Sequence, residues 1–376
     1  MSNKFPSGAT IWYPGGMELD PLAPESDADA VPAEPCNAAP PTEPVVGAVL
    51  ELVVPTIVAD PPAPAIAPPI CTARRPRPKF WRLQIPSILF VSTALSTFWV
   101  AATNGDLLGT VSDFWRAATL VDFAAPFRPI AENWWQGVVY MAAVMGILLA
   151  HEMGHYLQAR RYHVPASLPY FIPMPISPLG TMGAVIGMRG SQADRKQLFD
   201  IGLTGPWAGL AVAMPLAWAG IRSATALPFK PEMEGTFGDP LIFQFLIAWL
   251  RPDDPPGTVL IVHANPLVMA SWVGMLVTGL NMLPIGQLDG GHVTYALFGR
   301  RAHWVALASV AVAMAFIVVA GRYEWTLMLA LIMLLGTRHP PTADDRVELG
   351  RFRKLVGWFS LAIPVFCLTP FPFMPR

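Results

Sequence analysis

Charge is scarce in this chain. Asp, Glu, Lys and Arg make up 14% of its 376 residues, against 53% for apolar ones. Soluble domains usually carry about 25% charged residues, so an ordinary water-exposed globule is a poor fit. Cysteine is thin as well: the 3 present, Cys36, Cys71 and Cys367, lie far apart with no C-x-x-C pair. That argues against a disulfide framework and against a thiolate metal site. Basic residues form no block of the nucleic-acid type and the formal net charge is −1. Nucleic acid is therefore not an expected partner.

A targeting signature is also missing from the first residues. A signal peptide needs a basic start and an early apolar core, and a transit peptide is rich in Arg and Ser and poor in acid. Residues 1–80 instead scatter Pro, Ala, Asp and Glu, as in "MELDPLAPESDADAVPAEPCNAAPPTEPVV", and close on Arg74, Arg75, Arg77 and Lys79. Such a chain cannot bury enough surface to offset its ordering entropy. The composition predicts a disordered cytoplasmic tail with a basic juxtamembrane cluster.

Long apolar runs are what the sequence does have. Several approach the roughly 18–20 residues that cross a bilayer as a helix. The expected spans are Pro86 to Ala102, Gly137 to Leu157, Phe199 to Ile221, Pro266 to Leu283, Val305 to Ala320, Trp325 to Gly336 and Leu355 to Leu368. The expected fold over residues 81–376 is an all-α polytopic membrane protein of about six to seven transmembrane helices. A short re-entrant or strand-like segment should lie near the site, because "SLPYFIPMPISPLGTMGAVIGMRG" is too broken by Pro and Gly for a helix. "LIFQFLIAWL" is too short to cross. Basic residues before the first span, after the second (Arg160, Arg161) and after the fourth (Arg300, Arg301) place those ends in the cytoplasm by the positive-inside rule.

The second span ends on "LLAHEMGHYLQARR". Positions i and i+4 of a helix share a face, so His151 and His155 can offer ring nitrogens to one ion. Zinc accepts imidazole, and when catalytic it usually keeps three protein ligands and a water. It lowers the pKa of that water and polarises a carbonyl, while Glu152 can take the water's proton and pass it to a leaving amine. Histidines merely satisfying a helix end are the bland explanation. Ionisable residues inside a span are costly, however, and mark function by default.

A third ligand must come from elsewhere. The fourth span ends in "NMLPIGQLDGGH", where Pro284 and three glycines break the helix. Irregular backbone at membrane depth is tolerated only where protein or a water-filled cavity surrounds it. Asp289 sits in that break, on the same side of the membrane as His155. His292 is the rival ligand, set off by a Gly-Gly step.

The two motifs resemble those of the site-2 proteases, intramembrane zinc metalloproteases of the M50 class. "HEMGH" is similar to that family's H-E-x-G-H, and "NMLPIGQLDGGH" to its N-x-x-P-x-x-x-L-D-G. The resemblance covers about residues 137–300 and implies one zinc ion held by His151, His155 and Asp289, with Glu152 as general base. It further implies that Asn281 helps hold the substrate or the developing oxyanion. "PLGTMGAVIGM" and "DRKQLFDIGLTGPWAG" look like the intervening segments of chloroplast and bacterial members without a PDZ domain. Residues 222–265 are too short and apolar for such a domain, and regulation through a PDZ or a CBS domain is not expected. Single-span membrane proteins are the implied substrates and the lipid bilayer the implied surroundings. Oligomeric state is open.

Three rival classes fit less well. An iron desaturase needs histidine boxes, but only 7 histidines exist and none stands in H-x-x-H-H. A CAAX-type peptidase would take a downstream Glu as ligand, and Glu324 and Glu348 lack a helical partner motif. A catalytically silent chaperone or metal-binding protein on the same scaffold would have lost Glu152 or a ligand. Asp200 is expected either to orient a ligand or to stand as an interfacial helix-end charge. "GTMGAVIGM" reads equally as a plain connecting loop or as a strand edge for an unwound peptide, and the resemblance implies the strand. Frequent Ala and Pro, with Arg far exceeding Lys, suggest a GC-rich bacterial genome and hence a plasma membrane.

Overall fold

The computed structural model describes residues 79–103, 127–188, 190–228, 238–254, 258–260 and 265–369. The chain divides into Met1–Pro76, which lies outside those residues, and Arg77–Arg376. The expected disordered tail, up to residue 78, therefore falls outside the description, as do the acidic loop residues 104–126 and 229–237.

Helices dominate. In chain order they are α1 (Lys79–Ala102), α2 (Arg128–Arg161), α3 (Arg195–Ser223), α4 (Leu241–Leu250), α5 (Pro266–Asn281), α6 (Asp289–Phe298), α7 (Ala302–Ala320), α8 (Thr326–Leu335), α9 (Arg351–Ser360) and α10 (Ile363–Cys367). Four stretches are long and apolar enough to cross a membrane: Leu83–Ala102, Arg128–Arg161, Arg195–Ser223 and Asp289–Ala320. The last joins α6 to α7 through a 3-10 turn at Gly299–Arg301.

Local chemistry sets the helix ends. Helix α2 begins with a proline in its first turn and ends on Arg160 and Arg161, complementing a helix C-terminus. Asp194 and Gln197 form a reciprocal capping box at the start of α3. The Asn265 side chain accepts from the Leu267 and Val268 amides at the start of α5. Trp272, Tyr140, Phe199 and Phe243 are the largest side chains fully buried between these helices.

Two small antiparallel sheets accompany the bundle. Strand β1 (Tyr170–Met174) pairs with β2 (Gly180–Val185), Tyr170 opposite Val185 and Met174 opposite Gly180, with an irregularity between Phe171 and Pro173. This is the strand-like segment expected near the site. It is fastened to α1 by the Ser96 hydroxyl, which donates to the Gly180 carbonyl at 2.7 Å, and by an edge-on contact of Phe90 with Phe171. The Tyr140 hydroxyl of α2 donates to the Leu179 carbonyl at 2.8 Å. Strands β3 (Ala226–Pro228) and β4 (Thr258–Leu260) make the second sheet. Three residues a side are too few for a period-2 pattern to show in sequence.

The expected last span is broken. Residues 355–368 do not form one helix but divide between α9 and α10 with a turn at Leu361 and Ala362. Pro364 lies in the first turn of α10, where its missing N–H and fixed φ start a helix rather than continue one. Helix α9 runs beside α3: Arg353 reaches Asp200, and the Trp207 indole donates to the Ser360 hydroxyl at 3.0 Å. "LIFQFLIAWL" is the separate 10-residue helix α4, as its length foretold.

Candidate metal centre

Helix α2 carries His151, Glu152 and His155 inside the bundle at 2%, 4% and 5% exposure. Helix α6 begins with Asp289, immediately after the Pro284–Leu288 break. The break depends on glycine. Gly286 has a φ of 55°, a left-handed conformation that L side chains avoid. A Cβ on Gly290 would run into the Met282 carbonyl, and one on Gly291 into that of Gly286. This tight path packs α6 on α3 and brings the Asp289 side chain to the histidines of α2.

The result is a three-residue cluster. Asp289 Oδ2 lies 3.1 Å from His151 Nε2 and 3.2 Å from His155 Nε2. The candidate ligand atoms of the three all fall within 4.8 Å of one another. Tetrahedral zinc with bonds of about 2.0–2.2 Å holds its donors roughly 3.3 Å apart, so the spacing fits.

Ring tautomers support the same reading. A carbonyl can only accept, so the 2.8 Å contact of His155 Nδ1 with the Ile201 carbonyl puts the proton on Nδ1. Nε2 of His155 is then the ring atom left to face the carboxylate oxygen. The Asn281 amide nitrogen lies 3.4 Å from His151 Nε2, which brings this side chain to the same cluster. Three atoms able to ligate one cation thus converge, two imidazole nitrogens and a carboxylate oxygen, a donor set that suits zinc. His151 Nδ1 is buried without a partner, so one ring is braced from behind and the other is not. Glu152 makes no hydrogen bond or ion pair among the described residues.

Helix α3 forms the wall behind both imidazoles. A Cβ at Gly205 would strike the His155 ring, and one at Gly209 would sit 3.1 Å from His151 Nδ1. Gly154 on α2 would likewise meet the Thr204 carbonyl at 2.6 Å. Small residues four apart let helix backbones approach this closely. The G-x-x-x-G spacing in "GPWAG" was visible in sequence, yet nothing there said that histidines fill the space.

Two expectations resolve differently. Asp200 does not contact a ligand; it takes a two-pronged ion pair from Arg353 at 2.8 and 2.9 Å and a 2.5 Å hydrogen bond from the Tyr162 hydroxyl. The carbonyl of its neighbour, Ile201, holds His155 instead. The rival ligand His292 turns away from the cluster, its Nδ1 lying 2.6 Å from His339 Nε2.

Comparison with known proteins agrees with the geometry. Residues 139–321 match the family model "Peptidase family M50", a range that contains both motifs. "Probable zinc metalloprotease EGY1, chloroplastic" of Arabidopsis thaliana is 32% identical over 235 residues, covering 60% of this chain and 42% of the relative. "Probable zinc metalloprotease EGY2, chloroplastic" of the same plant is 27% identical over 248 residues, covering 63% and 42%. "Probable zinc metalloprotease EGY3, chloroplastic" of Oryza sativa subsp. indica is 29% identical over 309 residues, covering 74% and 49%. The chain thus spans less than half the length of these relatives. No solved structure matches. With the two motifs in order and the metal-compatible cluster they build in hand, residues 139–321 of this chain match peptidase family M50.

Proposed function

We propose that the chain is an intramembrane zinc metalloendopeptidase that hydrolyses peptide bonds in or near transmembrane segments of single-span membrane proteins. The observation that carries this reading is the convergence of His151 Nε2, His155 Nε2 and Asp289 Oδ2 inside an apolar bundle, with Glu152 adjacent. These three side chains would hold one zinc ion per chain. When bound, zinc supplies Lewis acidity, polarising a carbonyl and acidifying a water.

The chain's own residues then perform the rest. Glu152, without a hydrogen-bond partner among the described residues, takes the proton of the attacking water and returns it to the leaving amine. The Asn281 amide, at the site by its approach to His151, donates to the substrate carbonyl as negative charge develops there. Gly205 and Gly209 keep the wall of α3 close, excluding bulk water. A helical substrate must unwind to expose a peptide bond, and the free edges of the β1–β2 hairpin offer main-chain partners to the extended segment.

The basic residues at the His155 end of α2 support a cytoplasmic active site. The dominance of Arg over Lys supports a bacterial plasma membrane, whereas the relatives are named as chloroplastic. The test is cleavage of a single-span reporter by reconstituted wild type, Glu152→Gln and Asp289→Asn. Wild type should cut, and both variants should be silent. Cleavage by both variants at the wild-type rate would show that the cluster does other work, such as silent metal binding.

A further inference from the structure

A second feature borders the helix break, lined by none of His151, Glu152, His155 and Asp289. There a cleft of about 380 Å³ opens between the break, the α6–α7 junction and the segment after α8. Its volume is within the roughly 300–1,000 Å³ range of small-ligand sites. Gly286 and Gly291 line it from the break, Arg300 and His303 from the junction, and Thr337 and Arg338 from the following segment. No Asp or Glu lines it.

The cleft is positively charged without internal compensation. Among the described residues, no ion pair or side-chain hydrogen bond engages the guanidinium of Arg300 or of Arg338. The nearby carboxylate of Asp345 is turned to the Tyr295 and Thr342 hydroxyls, at 2.9 and 2.5 Å. His303 is held by its Nδ1, which donates to the Arg300 carbonyl at 2.7 Å, leaving the other ring nitrogen uncommitted. His339 shares the lining and stacks on Tyr295 with ring centroids 4.4 Å apart, giving the cleft a fixed aromatic wall.

We infer that this cleft binds a phosphate-bearing anion through Arg300 and Arg338. Two planar guanidinium forks suit a tetrahedral oxyanion with several acceptor oxygens better than a single carboxylate. The Thr337 hydroxyl adds a neutral donor. The phosphate can arrive on a phospholipid headgroup or in solution, and both present the same oxygens. Because Gly286 and Gly291 form one wall, the anion would brace the loop that carries Asp289. Binding itself does not depend on the peptidase reading, so either can fail alone.

The experiment follows thermal unfolding of the full-length protein in nanodiscs by tryptophan fluorescence. Inorganic phosphate is titrated in phosphatidylcholine discs against chloride of equal ionic strength, and a parallel sample carries phosphatidylglycerol without phosphate. Stabilisation by phosphate beyond chloride identifies a soluble ligand; stabilisation by phosphatidylglycerol alone identifies a headgroup. Either supports the inference only if R300Q/R338Q weakens it roughly tenfold, the scale of lost charge-assisted bonds. Arg301→Gln, an exposed neighbour outside the lining, should leave it intact. Should the double variant not fold, the two single variants are read separately. No stabilisation by either phosphate source, or equal stabilisation in the variants, overturns the inference.

Discussion

His155 and Ile201 are joined by a hydrogen bond of 2.8 Å from an imidazole N–H to a backbone carbonyl. The bond lies within the bundle, where no bulk water competes, and it fixes which ring nitrogen points at Asp289. Orienting partners of this type are as much part of a metal site as its ligands. Here the partner is a main-chain atom, so no side-chain substitution at position 201 removes it directly.

Zinc content and activity should separate. Glu152→Gln should retain metal near one equivalent per chain, because Glu152 is not in the ligand cluster, while cleavage falls by about 10²–10⁴-fold, the usual share of general acid–base catalysis. His155→Ala and Asp289→Asn should lose both. Metal analysis of the purified variants beside the reporter assay checks this, and unchanged zinc in His155→Ala would remove the ligand assignment.

Gly205→Ala should abolish metal binding although the residue is no ligand. Its Cβ would strike the His155 ring, so either the ring rotates away from Asp289 or α3 shifts. Overpacking of this kind costs about 1–3 kcal/mol. Gly146→Ala, on α2 where a Cβ meets nothing within 4 Å, is the matched control and should bind zinc as wild type does.

Asp200 and Arg353 should prove structural. Replacing Arg353 by Leu removes the two-pronged bond that docks α9 onto α3. Arg353 is about a third exposed (31%), so solvent screening holds the expected loss to about 1 kcal/mol. Thermal unfolding should register that loss with zinc content unchanged. A variant that unfolds normally but sheds zinc would return Asp200 to the metal site.

Stability should weaken on mild acidification through His339. Burial lowers its pKa below the ordinary 6.5, only partly offset by the Pro340 carbonyl and Asp345. Its contribution is therefore fully present above the unfolded-state value and is lost as pH falls through the depressed folded-state value. The slope of melting temperature against pH below about 6.5 should flatten in His339→Gln. An identical slope in both proteins would place the acid sensitivity elsewhere.

Much of the site was legible in residues. The i, i+4 histidines, the adjacent Glu152 and the Pro-Gly break at Asp289 each carry a chemical reason that survives without coordinates. Position favoured Asp289 over His292; in the structure Asp289 lies against both histidines, while His292 is engaged with His339. Elsewhere the pattern misled. Residues 355–368 are apolar enough to suggest one helix, but Pro364 begins a new one. The assignment of Asp200 stayed open because its partner lies 153 residues away.

Sequence by itself determined the membrane class, the candidate ligands and the order of the two motifs, because hydropathy, helical spacing and proline–glycine breaks are local properties of the chain. Tertiary structure alone decided which backbone carbonyl orients His155, which glycines make room for the imidazoles, and where Arg300 and Arg338 line one cleft without an acid. Those depend on contacts between segments remote in sequence, where the approach of two backbones to within a few ångströms leaves no periodic mark in either one.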